Sequence, residues 1–380
     1  MRLMLLAIVL LLLAPPAFAQ IAVSVNDNKV MLDNGTVKVV PNAPPDTLSV
    51  IDLKSTPPRV VSEIPVPGSV VGPPFSVAIT PDEGLALVTA AMKVDPSDPT
   101  KQVADNRLSV VDLRANPPQV IATLEAGKGA AGVSINRQGN LALVANRSEG
   151  TVSVYSIHGR TVTPAGKVTL GDEKTGVSHA AITPDGKMAL VSRDGDDRIS
   201  VLSIEGTKVE HTKRDLNAGL RPYGVDISSK GDIAVVANIG RGQGDADTAS
   251  LIDLRANPPR VVDTITVGQT PEGIKLSPDG SLVAIIAMNG SNKPRQSPFF
   301  NDHGNLVLLR VSGGKLSKVA EAPIGHWSQG AAFSPDGRTI LVGNMVEKEV
   351  WVFEWDGSAL KQTAKLKVNG GSAAVRVADK

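Results

Sequence analysis

The chain has no cysteine, and aromatic residues make up only 3% of its 380 positions. Without a thiol there is no disulfide framework, thiolate zinc site, iron–sulfur cluster, attached c-type haem or cysteine nucleophile. An excess of either charge is missing too: 39 Lys and Arg face 38 Asp and Glu, a formal net of +1. Non-specific nucleic-acid binding requires a basic surface on the scale of a domain, so net charge does not indicate such a partner. There is no G-x-S-x-G elbow, no His-x-x-x-His pair and no glycine fingerprint opening a helix after a strand. Serine-hydrolase, zinc-protease and dinucleotide-binding readings are therefore excluded, and neither a cofactor nor a metal is expected.

Long hydrophobic runs are also lacking, with one exception. Arg2 precedes an apolar run over residues 3–14, and Ala17-Phe18-Ala19 follows as an A-x-A cleavage pattern. A run this short suits a secretory signal peptide better than a membrane span. The expectation is a signal peptide over 1–19 cleaved near Ala19-Gln20, then a single mature domain over 20–380, exported to the periplasm or secreted. No transmembrane segment is expected in it.

Glycine (36) and proline (27) are abundant, and they recur in register. VAITPDEGLALV (77–88), AAITPDGKMALV (180–191), IKLSPDGSLVAI (274–285) and AAFSPDGRTILV (331–342) share one phrase, with looser copies VSINRQGNLALV (133–144) and VDISSKGDIAVV (225–236). Each reads as a strand, a tight turn with Gly supplying positive φ and, in the four close copies, Pro at its second position, and a second strand. A third apolar strand follows every copy, as in VSVYSI (152–157) and ASLIDL (249–254), and then a fourth that ends on glycine. Helical periodicity is absent.

Four strands recurring every 40 to 50 residues are the signature of propeller blades. Six copies leave one blade to be assembled from the two ends. Segments IAVSVN (21–26), TLSVIDL (47–53) and RVVSEIPVPG (59–68) supply three strands, and GGSAAVRV (370–377) supplies the inner one. The predicted fold is an all-β, seven-bladed propeller of four-stranded antiparallel blades, its ring closed by N- and C-terminal strands in one blade.

The repeat, with ValSerValAsn (23–26), LeuValAlaAsn (143–146), ValValAlaAsn (235–238) and LeuValGlyAsn (341–344), resembles the YVTN-type β-propeller repeat. Ser178-His179-Ala180-Ala181-Ile182-Thr183-Pro184-Asp185-Gly186, followed by Asp197-Arg198-Ile199, is similar to the fingerprint of propeller lactonases of the 6-phosphogluconolactonase and muconate-cycloisomerase type. The resemblance implies that His179 matches the second histidine of that fingerprint and Asp197-Arg198 its D-R. The first histidine is replaced by Val177, the family's P-R-H by Arg221-Pro222-Tyr223, and its N-E-L by Asn238-Ile239-Gly240. The family's acid/base glutamate is thus not at its usual place.

In a propeller, the loops leading into each inner strand and those joining the second strand to the third build one mouth of the central channel. Aligning the repeats on their turns brings Arg147, His179, Arg193, Arg221, Tyr223, Asn238, Glu272, His326, Trp327 and Gln329 to that mouth. Longer loops at 91–106, 239–248 and 289–304 rise from the same face, and long insertions in a regular array are commonly functional. The leading expectation is a binding protein that takes a small anionic molecule or a protein partner there. Its ligand residues would be Arg147, Arg193, Arg221, Tyr223, Asn238, His326, Trp327 and Gln329. The alternative is a lactonase-like hydrolase or isomerase acting on a lactone or sugar acid, with His179 and Glu272 as catalytic acid and base. Bland roles stand beside each of these: strand-end bracing for the asparagines, packing for His179, an ion pair with Arg221 or Arg193 for Glu272.

Overall fold

The computed structural model describes residues 20–380; the expected signal peptide at 1–19 lies outside them. Seven four-stranded antiparallel sheets are arranged as a propeller, and six are built from consecutive strands. Blades are numbered here from the one that begins at Val77. The seventh pairs Gly371–Val377 with Ile21–Asp27, which continues to Thr47–Asp52 and Arg59–Pro65. The closing pair is antiparallel along its whole length, from Ala22 opposite Val377 to Asp27 opposite Gly371. Among the described residues one three-residue 3₁₀ turn, Glu173–Thr175, is the only helical element, and no helix is long and apolar enough to cross a membrane.

Burial explains the composition. Second strands such as Leu141–Asn146 and Leu282–Ala287 are buried at every position, because both faces pack against neighbouring blades. Such strands read as continuous Val, Ile, Leu and Ala rather than as an alternating pattern. Outermost strands are half-solvated: Leu360–Lys367 has no fully buried residue. The core is accordingly a series of aliphatic layers between blades, for example Leu141, Val152, Val177, Val191 and Leu202 between blades 2 and 3.

The repeated Ser/Thr-Pro-Asp-Gly turn is held by its own hydroxyl. Thr183 Oγ1 donates to Asp185 Oδ1 at 2.6 Å and accepts the Met188 N–H at 3.1 Å. Ser277 does the same with Asp279 at 2.6 Å and Leu282 at 2.9 Å. In blade 2, Asn136 replaces the hydroxyl residue and its Oδ1 accepts the Asn140 and Leu141 N–H groups. The turn chemistry survives the change because a short acceptor side chain at that point is all it needs. These turns line the lower mouth of the channel.

Candidate ligand site at the upper mouth

At the upper mouth each inner strand of blades 2 to 6 carries a register shift against its partner. Between Val177, opposite Arg193, and His179, opposite Ser192, one residue is extra, and it is Ser178. Glu272 is extra in the same way between Pro271 and Gly273. Bulges of this kind re-aim side chains, and here they present Ser178, Tyr223, Glu272 and Gln329 at equivalent points. The next residue inward is Gly132, Gly224, Gly273 or Gly330 in four blades and His179 in blade 3. Small residues are required there: a Cβ on Gly273 would lie 2.2 Å from the Gln329 carbonyl oxygen. His179 instead turns its ring against Phe75, with centroids 4.0 Å apart.

Arg147, Asp194 and Arg221 form the polar centre. Arg147 grips the Asp194 carboxylate with both terminal nitrogens, the Nη2 contact being 2.8 Å, while Arg221 Nη2 reaches the same carboxylate at 2.8 Å. Ser178 Oγ also donates to Asp194 at 2.6 Å. Burial opposes the charge on Asp194, but its partners hold its carboxyl below the usual range. The Arg147 guanidinium lies 5.4 Å from the Tyr223 ring centroid, a cation–π contact. An open cavity of about 520 Å³ is bounded by Arg147, Lys174, Asp194, Asp197, Arg221 and Arg241.

Glu272 stands beside this centre without a cation bonded to it. Burial pushes its carboxyl up to about 8, although Gln329 and the field of Arg147 act the other way. With its amide correctly oriented, Gln329 donates to Glu272 at 3.2 Å and accepts the Trp327 indole N–H at 3.2 Å. At neutral pH Glu272 is therefore largely a neutral acid among arginines, able to donate as well as accept. Burial likewise pushes the Tyr223 phenol above its ordinary value.

The backbone leading into the inner strands of blades 2 to 6 turns through the left-handed region. Gly129 and Gly176 do so at φ 71° and 63°, where blades 4, 5 and 6 use Arg221, Thr270 and Trp327 at 55°, 49° and 50°. Side chains kept in this conformation carry strain, and such strain concentrates at functional sites.

The other expected residues are used differently. Arg193 is spent within blade 3, on Asp196, Ser200 Oγ at 3.0 Å and Asp215 at 3.3 Å. Asn238 donates to the Ala218 carbonyl, Thr248 and Ser250 at 3.0 to 3.1 Å, bracing strand ends as Asn146 does in blade 2. His326 bonds Glu347 through Nδ1 at 2.7 Å and Asp302 through Nε2 at 3.2 Å; those carboxylates raise its pKa despite its burial. Trp327 is buried in an apolar cluster with Val30, Met288 and Met345. His179 shares no hydrogen bond with Glu272; it lines a different cavity, with Arg376 and Asp379. Among the described residues no group of three or more His, Asp or Glu side chains is placed to hold a metal.

Two features escaped the sequence reading. Residues 27–46 form an inserted hairpin, Val30–Asp33 with Thr36–Val39, whose tip meets the 289–304 loop through Asn34, Gln296 and the Arg295 N–H. Segment 91–106, expected as a loop, continues the ladder between Leu85–Asp95 and Asp98–Asp112. The Asp194 clamp was legible in principle, since Arg147 and Asp194 occupy the same repeat position in adjacent blades with opposite charge.

No family model matches the chain, and no curated protein does. Solved structures are similar over nearly its whole length. A candidate 6-phosphogluconolactonase from Bacteroides fragilis aligns with TM-score 0.71 at 16% identity, covering 96% of this chain and 100% of that one. The periplasmic gluconolactonase PpgL of Pseudomonas aeruginosa gives 0.65 at 18%, covering 94% and 99%. A functionally unknown protein from Desulfotomaculum acetoxidans gives 0.67 at 15%, covering 94% and 99%. The likeness is one of fold. At such identities it carries neither activity nor site residues to this chain.

Proposed function

We propose that this propeller is an exported binding protein whose upper mouth takes a small anionic ligand of the sugar-acid class. The observation that carries the reading is the Arg147–Asp194–Arg221 clamp at the edge of the 520 Å³ cavity. One carboxylate anchors two guanidinium groups, which fixes them in place and leaves a net positive centre for an incoming carboxylate. Lys174 and Arg241, which line the same cavity, would face the remainder of the ligand, with Tyr223 backing Arg147 from behind. Export rests on the N-terminal expectation, and the fold is shared with the periplasmic gluconolactonase PpgL.

The test is calorimetric titration of the mature protein with D-gluconate, D-galactonate and their lactones. Specific binding that falls at least tenfold in Arg147→Gln and in Arg221→Gln is the expected result. Binding unchanged in both variants overturns the reading.

A second reading is favoured by Glu272 alone. A neutral carboxylic acid next to arginines could protonate the leaving oxygen as water opens a lactone, with Arg147 and Arg221 holding the acyl oxygen. Lactone turnover by the wild type that disappears in Glu272→Gln would establish this version. Gluconate binding without turnover would leave the binding protein.

A further inference from the structure

The opposite end of the channel is crossed by the chain's last residues. Asp379 lies over the lower mouth, where its Oδ1 accepts from Lys275 Nζ at 2.7 Å and its Oδ2 from Arg376 Nη2 at 3.0 Å. Both cations come from inner strands and are nearly buried, with side chains 9% and 6% exposed, whereas Asp379 remains 45% exposed. Two fixed cations thus hold the two oxygens of one water-accessible carboxylate.

This grip does not exhaust the donors. Arg376 Nη1 is buried with no hydrogen-bond partner, and the buried His179 ring has no partner within good geometry beyond a weak contact to the Val225 backbone. Arg376, His179, Arg137 and Asp379 line one small cavity; Arg137, Lys275 and Asp379 line a second of about 140 Å³ beside it. Asp379 borders both, as do Arg137 and Asp226. The nearby Asp226 is already committed, accepting the Leu276 N–H at 2.8 Å and Lys275 Nζ at 3.2 Å. Without Asp379 the mouth would hold Arg137, Lys275 and Arg376 against Asp226 and Glu83, the latter already taken by Lys380 Nζ at 2.7 Å. Unpaired buried cations are costly, which explains why something anionic must sit there.

We propose that the lower mouth is a binding site for a small hydroxy-carboxylate, which the chain's own Asp379 occupies and a diffusible ligand displaces. The carboxylate of the ligand takes the place of the Asp379 side chain between Lys275 and Arg376. Its adjacent hydroxyl reaches the unpartnered Arg376 Nη1 and His179. The site is independent of the upper clamp, and its success or failure leaves that reading untouched.

The experiment compares the full mature chain with its Asp379→Ala variant, titrating D-lactate, acetate and inorganic phosphate by calorimetry while following the His179 imidazole signals by NMR. Asp379→Ala is expected to bind D-lactate at least tenfold more tightly than the wild type, with His179 resonances shifting on saturation. Acetate, lacking the hydroxyl, should bind more weakly. Adding Lys275→Gln to Asp379→Ala should abolish the gain, as should Arg376→Gln where the double variant keeps a cooperative melt; adding Arg147→Gln should not alter it. No gain on removing Asp379, a gain that depends on Arg147, or phosphate bound as tightly as D-lactate would each overturn the proposal.

Discussion

The two mouths of the channel are made by the same strands and differ in how the chain turns. At the lower mouth, residues such as Thr183, Ser277 and Ser334 close short turns with the same bonds blade after blade. At the upper mouth, left-handed non-glycine residues, a hairpin and long loops break the repeat. Regular turns secure the ring cheaply, leaving the other end free to carry strained and polar side chains. The contrast has an exception at its centre, where Lys275, Arg376 and the tail make the regular end chemically distinctive as well.

The comparison breaks most completely if the shared ring is opened. Removing residues 371–380 deletes the pairing with Ile21–Asp27 and the burial of Ala373, Ala374 and Val375. At about 1.5–3 kcal/mol per larger buried aliphatic side chain and about 1 kcal/mol per hydrogen bond, the loss rivals a domain's whole margin of about 5–15 kcal/mol. The truncated chain should show no cooperative melt near the wild-type temperature. A superimposable melting curve would refute closure by the terminal strands.

A smaller effect probes the channel interior between the two mouths. Phe75 is 2% exposed and stacked on His179, so Phe75→Ala should cost about 3–5 kcal/mol in chemical denaturation. Gly273→Ala, which drives a Cβ toward the Gln329 carbonyl, should cost about 1–3 kcal/mol by overpacking. Either variant at wild-type stability would mean that the channel is looser than its geometry implies.

The third test addresses the upper mouth through pH. In the fold Glu272 keeps its proton up to about pH 8, against an ordinary value of 4.5, so the native state binds more protons between these limits. Stability from this group is complete below about pH 4.5 and is lost as pH rises through 8. Denaturation midpoints of the wild type should therefore fall relative to Glu272→Gln across that window. Parallel profiles would place Glu272 in contact with bulk water.

The finest comparison is between equivalent residues at the same mouth. Thr270→Gly should relieve left-handed strain at φ 49° and gain up to about 1 kcal/mol. Gly176→Thr, at the same point of blade 3, should lose more, because its Cβ would meet the Gly195 N at 2.7 Å. Melting temperatures moving in opposite directions would support the equivalence; movement in the same direction would count against it.

Much of this is legible in the sequence. The seven-fold repeat, the hydroxyl–Asp turn and the split blade follow from local patterns that recur, and recurrence is visible along a chain. Tyr223, Glu272 and Gln329 could be aligned to one mouth for the same reason. Arg193 and Asn238 were aligned there too, yet both face inward to brace their own blades. Alignment gives a side chain's height on the channel and says nothing of the partner it meets. The hairpin at 30–39 went unseen because it occurs once and has no repeat to reveal it.

The sequence by itself determined the all-β class, the blade count, the turn chemistry and the strands that close the ring, since each depends on a residue pattern that recurs about every fifty positions. Only the tertiary structure decided that Asp194 binds arginines from two other blades, that Glu272 lacks a cation partner, and that Asp379 returns to Lys275 across 104 residues. Those pairings depend on the curvature that brings distant blades around one axis, and no local pattern encodes where a side chain ends once the ring has closed.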